Sequence, residues 1–81
     1  MNDEMKLKQT LLDIARAIVD HPDSVEVEES VSGDHITYVL SVADDDTGMV
    51  IGRYGRIAKA IRSIMKAAAN TCGKHVTVEI K

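Results

Sequence analysis

The chain has 81 residues, with 10 Lys and Arg against 13 Asp and Glu for a formal net charge of −3, and it is 44% hydrophobic but only 2% aromatic, with no Phe or Trp. That length admits one small core and not two, so residues 1–81 are expected to form a single domain. The negative balance excludes a protein that coats nucleic acid through a global positive field, and the near absence of aromatics leaves only Tyr38 and Tyr54 able to stack on a base.

From about Glu4 to Val19, the residues Leu7, Leu11, Ile14 and Ile18 recur at three- and four-residue spacing, which predicts an amphipathic helix ended by Pro22. Residues 25 to 31 then alternate, Val25 and Val27 against Glu26 and Glu28, as a half-buried strand does. Ser32-Gly33-Asp34 is a turn signal. Beyond it Ile36, Tyr38, Leu40 and Val42 share one side of a second strand and Thr37, Val39 and Ser41 the other, so the two strands should form an antiparallel hairpin. Asp44-Asp45-Asp46 precedes a short helix over Thr47 to Ile51, where carboxylates can cap orphan N–H groups. A calcium loop is excluded there, because no Asp or Asn stands at its fifth position and no Glu at its twelfth. A longer helix should run to about Asn70 or Thr71, followed by the turn Cys72-Gly73-Lys74 and a strand over 75 to 80. Two helices span far more chain than a hairpin needs, so the last strand is expected to lie parallel to its neighbour.

The chemistry concentrates in the turn Gly52-Arg53-Tyr54-Gly55. Two glycines bracketing two residues let the chain reverse with no Cβ at either hinge, so a phosphate can approach the main-chain N–H groups at the start of the next helix. Alone, a Gly-x-x-Gly string most often marks an ordinary turn. Here it is joined by Val50-Ile51 before it, Arg56 after it, and Ile57 and Ile61 one turn apart. From Thr47 to Val78 the ionised side chains are all basic, Arg53, Arg56, Lys59, Arg62, Lys66 and Lys74, whereas the acids gather earlier in the chain. The split predicts one local basic face, or more simply two solvated faces of opposite charge. No Gly-x-x-x-x-Gly-Lys-Ser/Thr or Gly-x-Gly-x-x-Gly string calls for a nucleotide.

The segment Val50-Ile51-Gly52-Arg53-Tyr54-Gly55-Arg56-Ile57 resembles the KH signature, whose Gly-x-x-Gly loop clamps about four nucleotides of backbone. The order helix, strand, strand, short helix, helix, strand is similar to the type II KH arrangement, an α+β fold of three helices on one face of a three-stranded mixed sheet, and the resemblance covers nearly the whole chain. Ile51-Gly52-Arg53, Gly55-Arg56 and Ala60-Ile61-Arg62 resemble the small bacterial single-KH RNA-binding proteins of the KhpA family. Tyr54 departs from that family's commonest pattern, which has a polar or basic residue there. The resemblance implies a protein that holds short single-stranded RNA, as an RNA chaperone or post-transcriptional regulator, without enzymatic activity, cofactor or metal. It also implies a homodimer, or a heterodimer with a larger KH-containing protein of the Jag/KhpB type.

On that basis Arg53 is the first candidate for a phosphate, because guanidinium can bind its oxygens bidentately, and the amides of Tyr54, Gly55 and Arg56 would supplement it. Tyr54 either stacks on a base or sugar or is a plain exposed loop residue. Arg56, Lys59, Arg62 and Lys66 lie on one side of the second long helix, the first two near enough to the loop to contact backbone and the others facing solvent. Val50 and Ile51 should flank an apolar groove, with Tyr38 and Val39 as weaker candidates, all four otherwise reading as core. Lys74, in what would be the variable loop, could reach RNA from the other side. The remaining side of the helix is apolar over about half its circumference, wider than the roughly 100° that one sheet requires, which points to a dimer contact around Ala60, Ile64, Ala67 and Ala68. An alanine-rich helix of high propensity would read the same.

The three histidines, His21, His35 and His75, share no metal-ligand spacing, and Cys72 with His75 lacks the third group a nucleophile pair needs. A lone cysteine excludes an intramolecular disulfide, and suits a reducing cytoplasm. The charged opening Met-Asn-Asp-Glu-Met-Lys has no signal-peptide core, so a cytoplasmic protein is expected. The runner-up function is a protein-interaction adaptor that uses the same helix surface, with RNA contact secondary.

Overall fold

The computed structural model describes residues 3–81; the first two residues of the charged opening lie outside them. Helix α1 (Asp3–Ile18) turns Leu7, Leu11 and Ala15 inward, a strict four-residue repeat that places all three on one face. It stops four residues before Pro22, which instead opens a short 3-10 turn, Pro22–Ser24. Strands β1 (Glu26–Ser32) and β2 (His35–Ser41) form the expected antiparallel hairpin, with Val27 opposite Leu40 and Glu29 opposite Tyr38.

A 3-10 turn, Asp44–Asp46, leads into the five-residue helix α2 (Thr47–Ile51); then come the Gly-x-x-Gly turn, helix α3 (Arg56–Asn70) and β3 (His75–Ile80). The sheet order is β1-β2-β3, and β3 runs parallel to β2 with Tyr38 beside Val78. Helix α3 ends in a Schellman cap: Gly73, at φ +70, donates its N–H to the Asn70 carbonyl and Lys74 donates to Ala69.

The core lies between the sheet and the helices. Leu11, Ile36, Tyr38, Leu40, Val50, Ile61 and Met65 are fully buried there, and Ala58 and Ala69 continue the inward row of α3. Tyr38 is therefore a core residue, closed to any base. Its hydroxyl donates to the Glu4 carbonyl at 3.0 Å, and burial, with the charges of Glu29 and Glu4, pushes its ionisation far up. Val39, one residue on, points to the sheet face opposite the helices, by the period-2 alternation that puts Tyr38 and Leu40 inside.

The three aspartates do not cap α2 through their side chains. Asp46 is buried, and one of its carboxylate oxygens accepts both the His21 backbone N–H at 2.9 Å and a contact from His21 Nδ1 at 3.0 Å. This ties the segment after α1 to the segment that launches α2, across 25 residues. Burial pushes the Asp46 carboxyl up, but the side-chain and backbone hydrogen bonds from His21 and the backbone N–H of Asp20 outweigh it and hold it below the ordinary value. A carboxyl depressed by folding stabilises the protein above its unfolded pKa, and the contribution is lost as pH falls through the folded one. Asp46→Asn is therefore expected to melt below the parent at neutral pH, with the gap closing as pH is lowered beneath the carboxylate range. A melt series across pH, in which a constant gap would contradict the ionic contribution, checks it.

Candidate nucleic-acid interface

The turn that joins α2 to α3 uses its two glycines differently. Gly52 sits at φ 75, ψ 173, a backbone region open in practice to glycine alone. A Cβ there would meet Ile57 Cγ1 at 2.6 Å, so Gly52 also lets the turn close against α3. Gly55, at φ 71, has nothing within 4 Å of where a Cβ would stand. Space for an approaching phosphate therefore lies on the Gly55 side.

Two amides are already committed inside the turn. Gly55 donates to the Gly52 carbonyl at 3.2 Å and Arg56 donates to Arg53, so two of the three N–H groups expected to face a phosphate bond within the turn instead. The cations of the turn are side chains. Arg53, Arg56 and Lys59 are all exposed around the α3 N-terminus. That end carries partial positive charge, which ordinarily favours Asp or Glu, yet α3 has no acid in its first turn and its N-cap, Gly55, supplies no side-chain cap. Cations gathered where the backbone is already positive repel one another.

Between the glycines, Tyr54 adopts the left-handed conformation, φ 58 and ψ 24, at a cost of about 1–2 kcal/mol for a residue with a Cβ. The residue is 82% exposed. The Arg56 guanidinium lies over its ring, 5.9 Å from the centroid.

Other candidate residues divide by position. Val50 is fully buried and offers no surface to a ligand, whereas Ile51, 40% exposed, does. Met49, 39% exposed on the same short helix, joins it and was not predicted, because five residues are too few for periodicity to sort inner from outer positions. Lys74 sits past the far end of α3, about 22 Å from the glycine turn at 1.5 Å per residue, and lies 3.9 Å from Glu4. It is not part of one surface with Arg53. Arg62 does not simply face solvent: its Nε donates to the Val78 carbonyl at 3.1 Å, covering the outer edge of β3. Lys66 remains exposed.

On the other flank of α3, Ala60, Ile64 and Ala67 are exposed at spacings of four and three residues, Ile64 by 48%, while Ala68 leans against the core. Among the described residues no group of three or more His, Cys, Asp or Glu could hold a metal, and no helix is long and apolar enough to cross a membrane.

A helix-strand-strand-helix-helix-strand chain whose Gly-x-x-Gly turn joins the last two helices defines a KH-type domain. Residues 8–80 match the model of the KhpA/KhpB KH domain, and the chain belongs to that family. It is 51% identical over 74 residues to RNA-binding protein KhpA of Clostridium acetobutylicum, covering 91% of this chain and 99% of that one. Against RNA-binding protein KhpA of Caldanaerobacter subterraneus it is 54% identical over 83% of this chain and 89% of the other, and against that of Bacillus subtilis 40% over 95% of each. Among solved structures, Aquifex aeolicus Era bound to GDP and aluminium fluoride superposes with a TM-score of 0.70 at 17% identity, over 99% of this chain and 31% of that one, a likeness of fold.

Proposed function

We propose that this chain binds short segments of single-stranded RNA on the surface formed by Gly52 to Arg56, Lys59 and the exposed side of Ile51, with weak sequence preference, as a cytoplasmic RNA chaperone or post-transcriptional regulator. The observation that carries it is the α3 N-terminus, where Arg53, Arg56 and Lys59 meet a positive helix end with no acid in its first turn. An anion is the natural complement, and a polyanion with flexible backbone can follow the turn past Gly55. The relatives named RNA-binding protein KhpA support RNA as that polyanion. The chain is a binding protein rather than an enzyme, as its family is.

We further propose that residues 1–81 act as one KH unit within a homodimer, through Ala60, Ile64, Ala67 and the partly covered Ala68. A heterodimer with a larger KH-containing protein of the Jag/KhpB type would use the same strip. The adaptor reading, in which partner binding leads and RNA is secondary, is favoured by one observation, the exposure of Ile64 in a chain of net charge −3.

Replacing Arg53 by Ala tests the clamp. If Arg53 neutralises one phosphate, affinity falls about equally for unrelated sequences, and the slope of log affinity on log salt flattens by roughly 0.7 for a single strand. Titrations of two unrelated oligonucleotides over several salt concentrations decide it; an unchanged slope makes Arg53 a solvated loop residue.

A further inference from the structure

We infer that Tyr54 is a stacking platform for one unpaired nucleobase, purine over pyrimidine, held in place from behind by Arg56; the inference rests on the proposal that the glycine turn binds RNA. Three observations converge on it. The chain has two tyrosines and no Phe or Trp, and the fold seals Tyr38 in the core, which leaves Tyr54 as the one tyrosine with an open face. It is the most exposed large apolar side chain of the described residues, at the tip of the turn, amid cations rather than beside an apolar neighbour that would shelter it. Finally, it holds a backbone conformation that Gly or Asn would adopt with less strain, so this position keeps its ring at a conformational penalty. Strain of this sort is a pointer to function when the side chain it displays has something to do.

The Arg56 contact gives the platform its direction. With the guanidinium over one face of the ring, 5.9 Å from the centroid, the other face is the one left for a base. A base stacked there would cover both ring faces, while Arg53 and the space beside Gly55 take the adjoining phosphate. Because every base has a π-face, such a contact is tolerant of sequence, and the larger purine surface gains more from it. Phosphate attraction at the same turn carries no sequence information at all. Tyr54 thus accounts for whatever base preference this domain has.

Tyr54→Asn tests this, since Asn tolerates the left-handed backbone and removes the ring, with Tyr54→Trp as the variant that keeps stacking. Each folded protein is titrated with oligoadenylate, oligouridylate and a ribose-phosphate chain of equal length without bases. Tyr54→Asn is expected to lose about five- to 150-fold affinity for oligoadenylate, the range of one base stacked on an aromatic, less for oligouridylate, and nothing for the baseless chain. Tyr54→Trp should retain the parent's preference for oligoadenylate. Undiminished binding of oligoadenylate by Tyr54→Asn, or an equal loss on the baseless chain, overturns the platform while leaving the phosphate clamp standing. Failure of the parent protein to bind any of the three overturns the clamp and the platform together.

Discussion

Gly55→Asp is expected to lose roughly five- to several-hundredfold affinity for single-stranded RNA while remaining folded. The magnitude follows from one like charge brought to about 4 Å from a phosphate, which costs about 1 kcal/mol in water and about 4 kcal/mol at the effective dielectric of a protein surface. The added side chain meets open space, and Asp enters the left-handed region at modest strain, about 1 kcal/mol. Gly52→Asp behaves differently. Its Cβ would overlap Ile57, and its backbone region excludes side chains, so it loses stability by on the order of 2 kcal/mol in addition to any effect on RNA. The double replacement of Gly52 and Gly55 by Asp should abolish binding, but part of that loss then belongs to the fold. Thermal melts with RNA titrations of the two single variants separate the effects. A folded Gly55→Asp protein that binds RNA as the parent does would refute the clamp.

The second large effect concerns assembly. Ile64→Asp is expected to give a soluble, folded monomer, because about half of the Ile64 side chain already faces water and the new carboxylate stays solvated in an isolated domain. In a two-fold dimer the same substitution forces two like charges together across the axis, which costs several kcal/mol. Sedimentation reads the mass and a thermal melt reads the fold. Collapse of the fold would contradict the exposure of Ile64, and a folded dimer would move the interface away from Ala60, Ile64 and Ala67. The monomer should bind long RNA more weakly by on the order of tenfold or more, since two linked sites gain avidity that one site lacks, while RNA too short to reach both sites shows little change.

The two experiments bear on the N-cap of α3 and on its exposed apolar flank, and the flanks of that helix show how local pattern and tertiary packing share control. Its 3.6-residue period separates the basic side, Arg56, Lys59, Arg62 and Lys66, from the apolar side in the sequence alone. The surplus apolar width, seen in Ala60, Ile64 and Ala67, is likewise legible, because a helix needs only one stripe to cover a sheet, and the structure leaves those residues exposed. That Arg62 covers the Val78 carbonyl was not legible, since it depends on how closely α3 crosses the edge of β3.

Near the site the same division holds. The turn, its glycines and the cations around it are local in sequence, so their chemistry could be read directly from Gly52 through Lys59. Strand alternation likewise set Ile36, Tyr38 and Leu40 on one face. Only packing decided that this face is closed, taking Tyr38 away from any ligand, and that Val50 is core while Met49 and Ile51 are surface. Lys74 is separated from the turn by the full length of α3, a distance that a charge map along the chain does not contain. Sequence by itself determined the order of elements, the hairpin, the parallel return of β3 and the glycine turn with its flanking cations, because each arises from periodicity, turn chemistry or chain length over neighbouring residues. The Asp46–His21 tie, the internal use of the Gly55 and Arg56 amides and the left-handed display of Tyr54 were decided by tertiary structure, because each depends on dihedral angles or on contacts between residues far apart in the chain.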